Sequence, residues 1–162
     1  MSSKTELAVK ALFDALLAQS QLENAALPTP KRNEALPARL FQAGVGAPQS
    51  YLNLWDGEGG PDGEFLGADE IEDGYDLLHR PVIEWVVAGG ADAARDALFD
   101  KGLEQIHDAI KRGNDGVLAG AVDAAAIEQV TRNGKGLVTD GLPNVRAAEV
   151  TIVLSFTSSR PF

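Results

Sequence analysis

Cysteine is absent from the 162 residues, which removes disulfide frameworks, thiolate zinc sites and cysteine nucleophiles, and agrees with a reducing compartment. Histidine occurs twice, at His79 and His107, without the H-x-x-x-H spacing of a metal pair, so each reads first as a structural residue. No stretch approaches the roughly 18 consecutive apolar residues that span a bilayer, and MSSKTELAV lacks the basic and apolar regions of a signal peptide. The expectation is a soluble, unprocessed protein with no membrane partner. Basic residues are missing from one place above all. Between Asp56 and Asp76 stand nine acids and no Lys or Arg, while the rest of the chain carries fifteen acids against fourteen bases. The net charge of −10 therefore belongs to one segment. A dedicated nucleic-acid binder would instead gather Lys and Arg into a stripe that neutralises phosphates.

Catalytic signatures are missing too. G-x-G-x-x-G and G-x-S-x-G do not occur, and Asn133-Gly-Lys-Gly136 is no P-loop, because Gln129 stands where the first glycine belongs and no Ser or Thr follows Lys135. Asp69-Glu-Ile-Glu-Asp73-Gly74 offers oxygen ligands but departs from the EF-hand at position three, Ile71, and position twelve, Arg80. No residue is nominated as catalytic, and no cofactor or metal is implied.

What is present is a set of periodic segments, with enough apolar residues, 44%, for one core and one domain over 1–162. Ser3-Lys-Thr-Glu6 has capping-box spacing, and Val9, Leu12, Phe13 and Leu16 recur at helical intervals, predicting a helix from Thr5 to Leu22. Four prolines and two glycines make 24–50 an irregular arm. Tyr51–Trp55 reads as a short strand, and 56–76 as a long acidic Gly-rich loop. From His79 to Ala88 a strand puts Pro81, Ile83, Trp85 and Val87 on one face.

Ala91–Arg112 predicts the longest helix, stopped by Gly113-Asn114, with Phe99, Leu103, Ile106 and Ile110 as its buried stripe. Asp92, Asp96, Asp100, Glu104 and Asp108 form a second stripe at i+4 spacing, either a solvated face or a surface for a basic partner. Ile127–Thr131 reads as a strand, followed by turn clusters at Asn133–Gly136 and Thr139–Pro143. The closing strand is the clearest. Val150, Ile152, Leu154 and Phe156 share one face, with Glu149, Thr151, Val153, Ser155 and Thr157 on the other. Its stretch Val150–Thr157 has neither charge nor proline, so it is either central in its own sheet or paired across a subunit boundary. The fold class is thus α+β: an antiparallel or mixed sheet with an N-terminal helix and a long central helix packed on one face.

In this order, the N-terminal helix, the Pro-containing arm, "HRPVIEWVVAG", "ADAARDALFDKGLEQIHDAIKRG", "AIEQVTRNGKGLVTDGLPN" and "VRAAEVTIVLSFTSSRPF" resemble the tail-terminator, or tail-completion, proteins of long-tailed bacteriophages, the minor tail protein U type. The resemblance implies a non-enzymatic virion protein of the tail or neck, assembled in the host cytoplasm. It implies a homo-oligomeric ring, typically a hexamer, that caps the tail tube, meets the tube protein and the neck or connector protein, and lets DNA pass through its lumen without specific binding. Candidate contact residues are Thr151, Val153 and Ser155 on the uncharged face, and Arg160, Pro161 and Phe162, too few to fold alone. Two alternatives stay open: another neck or tail-tube ring protein, or a small metal- or ligand-binding domain using the acidic loop with His79.

Overall fold

The computed structural model describes residues 3–42, 44, 46–57, 64–71, 74–132 and 144–158. In chain order they form α1 (Lys4–Ser20), β1 (Lys31–Arg32), a 3-10 turn at Ala38–Gln42, β2 (Gln49–Trp55), β3 (Glu64–Ile71), β4 (Gly74–Arg80), β5 (Val82–Ala88), α2 (Asp92–Asn114), a second 3-10 turn at Val117–Gly120, β6 (Ala124–Arg132) and β7 (Val145–Ser158). The class is the expected α+β. The sheet is mixed, since β1 lies parallel to β2 and every other pair is antiparallel.

β7 is the spine. Its 14 residues span roughly 45 Å at the usual rise of an extended chain. One edge pairs with β5 over Val145–Thr151 and then with β4 over Leu154–Ser158, and the other edge pairs with β6 from Ala148 to Ser155. β4 and β5 are one rail with a joint at Pro81, which has no N–H to give but whose carbonyl still accepts from Ile152 N at 3.0 Å. β2 and β3 form the next rail out, pairing with β5 and β4 in turn.

The β3–β4 pairing corrects the expected loop at 56–76. Acids and glycines have poor strand propensity, and Asp69 even stands directly opposite Asp76. The ladder wins because β4 extends β5 along β7, which supplies a ready row of partners. Glu72 and Asp73, and residues 58–63, lie outside the described residues, as do the turn clusters at 133–136 and 139–143.

Both helices cover one sheet face. Leu52, Leu54, Ile83, Trp85, Val87, Val150, Ile152, Leu154 and Phe156 meet Ala8, Val9, Leu12 and Leu16 of α1 and Phe99, Ile106 and Ile110 of α2 in the main core. On the opposite face the arm contributes Leu40, packed with Tyr51, Val86, Ala88, Val145 and Ala147. Ser3 caps α1 as its spacing foretells, its Oγ accepting from Glu6 N at 3.1 Å. The Glu6 carboxylate does not complete the box; it is taken by Arg32.

α2 is seated by close approach. The Trp85 indole is fully buried and donates from Nε1 to Phe99 O at 3.0 Å. A Cβ on Gly102 would lie 2.2 Å from Trp85 Cζ2, so only glycine lets the helix come down onto the ring. Gly113 repeats the device. It does not stop α2, which runs on to Asn114; it makes room for Leu118, whose Cδ1 would stand 2.6 Å from an added Cβ. Leu103, expected in the buried stripe, is only half-buried, and Gly102 takes the inward position.

Gly102→Ala gains about 1 kcal/mol of helix propensity but forces α2 off Trp85, and overpacking of this kind costs about 1–3 kcal/mol. Chemical denaturation should therefore give a net loss of stability. A variant as stable as the parent would show that the indole has somewhere else to go.

Candidate interaction surfaces

The face of β7 turned away from the helices carries the residues expected to make contacts. Thr151, Val153 and Ser155 are half-buried there, Thr157 is exposed and Glu149 is buried. Across the ladders Ser155 stands opposite Leu78 and Ala124, Val153 opposite Ala126, and Thr151 opposite Val82 and Gln129. Both edges of β7 are taken by strands of the same chain, so of the two readings for this strand the central one holds. The surface is less neutral than the strand alone implies. Arg80 and Glu128, from the strands on either side of β7, form a two-pronged ion pair with Nη2 to Oε1 at 2.7 Å. Glu128 lies in the β6 bulge between Ile127, opposite Ile152, and Gln129, opposite Thr151. The guanidinium holds the Glu128 carboxyl below its ordinary range. Arg160, Pro161 and Phe162 lie outside the described residues.

One register further along, this face turns polar and dry. Glu84 and Glu149 stand directly opposite each other on β5 and β7, each 2% exposed. Asn53, fully buried on β2, donates to Glu84 Oε1 at 3.1 Å, and Trp55 Nε1 donates to the same oxygen. Asn53 also bonds the arm at Glu34 through both its amide atoms, and the Tyr51 hydroxyl donates to Glu34 O at 2.7 Å. Burial pushes the Glu84 carboxyl above the usual glutamate range, its two donors only partly offsetting this, and burial beside Glu84 and Glu34 raises Tyr51 to about 12. This cluster ties the arm to the sheet. Sequence periodicity assigns Glu84 and Glu149 each to an outer face but says nothing of their meeting, which depends on strand register.

At the far end of β2, Arg32 clamps three elements. Its guanidinium holds Asp56 (Nε to Oδ1 2.7 Å, Nη2 to Oδ2 2.9 Å) and the α1 residue Glu6 (3.1 and 2.8 Å). Burial would raise the Asp56 carboxyl, yet Arg32 and the Asn33 side chain together hold it low, and Arg32 itself is pushed further from deprotonation. His79 is buried with Nε2 against the Asp56 carbonyl, under Gly57, whose φ of 107° and missing Cβ both suit this close approach. The ligand-site alternative built on Asp56 and His79 thus finds the Asp56 carboxylate engaged by Arg32 and His79 packed as a structural residue. Among the described residues, no three His, Asp or Glu side chains gather as a metal set; Asp73 is outside them.

The acidic stripe of α2 divides. Asp92 pairs with Arg95 at 2.6 Å, Asp96 with Arg146 at 3.3 Å and Asp100 with Arg132 at 3.9 Å. Glu104 and Asp108 are exposed and form no ion pair among the described residues. Beside them runs a groove of about 560 Å³ between α2 and β6, lined by Leu103, Glu104, Ile106, His107, Ile127 and Val130 among others. A smaller groove of about 280 Å³ lies between α1 and the second 3-10 turn, with Lys4, Leu7, Lys10 and Val117 in its walls.

No family model matches the chain, and no curated protein matches it. Among solved structures, its fold is similar to that of a chain in the virion of a native gene transfer agent particle: the TM-score is 0.54 at 16% identity, over 92% of this chain and 96% of that one.

Glu84, buried, and Asp56, half-buried, contribute to the pH response with opposite signs. Glu84 binds its proton more tightly folded than unfolded, so its contribution is intact at acid pH and is lost as pH rises through its elevated pKa. Asp56 is depressed, so its contribution is intact at neutral pH and lost as pH falls through its folded pKa. Urea midpoints of Glu84→Gln, which keeps an acceptor for Asn53 and Trp55, should gain on the parent from pH 5 to pH 8. Asp56→Asn should flatten the acid limb instead. A Glu84→Gln curve parallel to the parent across this range would mean that Glu84 is not desolvated.

Proposed function

We propose that the chain is a structural virion protein acting by binding alone, a ring-forming tail terminator that caps the tail tube and joins it to the neck or connector. The observation that carries this reading is the likeness in fold, over nearly the full length of both chains, to a component of a gene transfer agent virion. The order of sequence elements that resembles tail terminators points the same way. In this reading residues 1–162 act as one domain, about six copies close into a ring in the virion tail or neck after assembly in the host cytoplasm, and the partners are the chain itself, the tube protein and the neck protein.

The surfaces suit such work. Thr151, Val153 and Ser155, with exposed Leu78 beside them, offer a small patch for contact, and Arg160, Pro161 and Phe162 are proposed as further contact residues. The acids of 56–76, on and around the β3–β4 hairpin, would repel phosphates if they face the lumen, letting DNA pass without retention.

The test is electron microscopy of cognate tube protein polymerised with and without the chain. The expected result is shorter tubes of defined length, each ending in a ring. Rings stacked along the tube or bound only to the portal would assign the chain to another tail or neck position, and tubes of unchanged length with no bound chain would refute the proposal. Deleting 160–162 should weaken ring formation, read by mass photometry, more than it lowers the melting temperature; an equal loss of both would make these residues an internal clasp.

A further inference from the structure

Among the described residues, three of the five exposed large apolar side chains stand in two grooves. Among the described residues the exposed ones are Leu7, Leu22, Leu78, Val117 and Val130. Leu7 and Val117, 45% and 46% exposed, stand in the walls of the groove between α1 and the second 3-10 turn. Val130, 43% exposed, stands in the groove between α2 and β6, with Leu103 and Ile127 half-buried around it. Burying such side chains is favourable by about 25 cal/mol per Å² of apolar surface.

Charge distinguishes the two grooves. The first carries Lys4 and Lys10; Lys10 is bonded to Asp14 at 3.0 Å, whereas Lys4 is exposed and has no partner among the described residues. The second carries Glu104, with Asp108 one turn along the same helix, both exposed and likewise without an ion pair among the described residues. Arg132, at the end of the second groove, already pairs with Asp100 at 3.9 Å, as Asp14 in the first does with Lys10. Each groove therefore combines apolar walls with a charge that the other complements.

We infer that the occupant of each groove is a second copy of this chain, with the α1 groove of one subunit seated against the α2–β6 groove of the next, Lys4 facing Glu104 and Asp108, and Leu7 and Val117 facing Val130 and Leu103. The grooves share no residue and no secondary-structure element. Their contact is heterologous, which repeats head to tail and closes into a ring when the rotation per subunit allows it, whereas a two-fold dimer would need one patch to match itself. This inference rests on the ring reading above and gives it a subunit contact. It leaves the patch around Thr151, Val153 and Ser155 for the tube or neck.

Charge exchange tests it on the full-length chain, with assembly followed by mass photometry over a concentration series and folding by thermal melts. The parent should form a closed oligomer. Glu104→Lys and Lys4→Glu, both at exposed positions, should each raise the concentration needed for assembly at least tenfold while leaving the melt of the dilute subunit unchanged, and the double variant should recover most of the loss. Val117→Asp should weaken assembly in all backgrounds. A parent that assembles equally well with either single exchange would overturn the contact and leave the ring reading standing. Single exchanges that weaken assembly without recovery in the double variant would also overturn it, because Lys4 and Glu104 would then face other groups. A parent that stays monomeric at every concentration would overturn both.

Discussion

The helix layer depends on one close contact, the Trp85 indole under Gly102. Trp85 sits mid-sheet, between Leu52 on β2 and Ala148 on β7. Its neighbour on the spine is small, the residue above it has no side chain, and its one polar atom is satisfied by Phe99 O. A large buried ring with its N–H paired adds burial energy and orientation together. Around this seat the front half of α2 is bound to the sheet at two further points, because Arg132 of β6 and Arg146 of β7 both lie over the Phe99 ring, at 6.0 and 5.6 Å from its centre, and pair with Asp100 and Asp96. The position of α2 fixes where its acidic side and the α2–β6 groove appear.

The sheet has a second constraint, the length of β7. A strand paired along both edges by three others can hold segments that would not form strands alone, and the acidic hairpin is the case in point. Charge that would otherwise be spread along a loop is thereby carried on a ladder. The face opposite the helices is closed differently, by the arm, whose backbone at Glu34 is held by Asn53 and Tyr51 and whose Arg32 joins α1 to the end of β2.

Segments with strong periodicity were legible in the sequence: α1 with its Ser3 cap, α2, β5 with Ile83, Trp85 and Val87 facing inward, and β7. Their signals are local, and most of the residues that set the period are buried, Phe13 and Leu103 being only half-buried. The β3–β4 hairpin was not legible, because its pairing comes from β7, far away in the chain. Gly113 reads in the sequence as a helix stop, and Gly102 gives no local signal, yet the value of both is the space they leave. Arg80 with Glu128, and Glu84 opposite Glu149, depend on register between strands that no single segment encodes. The two grooves were hidden for a related reason: Leu7 and Val117 are ordinary residues in their own segments, and only the packing of α1 beside the second 3-10 turn puts them in one wall.

The proposed assembly role rests on a mixed sheet with helices on one face, two surface grooves, and a fold similar to that of a chain in a gene transfer agent virion. The most direct measurement is the mass of the full-length chain in solution across concentration, by mass photometry or sedimentation. A single discrete species near six subunits, growing at the expense of monomer with no larger polymers, is the predicted result. A chain that remains monomeric up to the highest concentrations, including in the presence of its tube protein, would contradict the account.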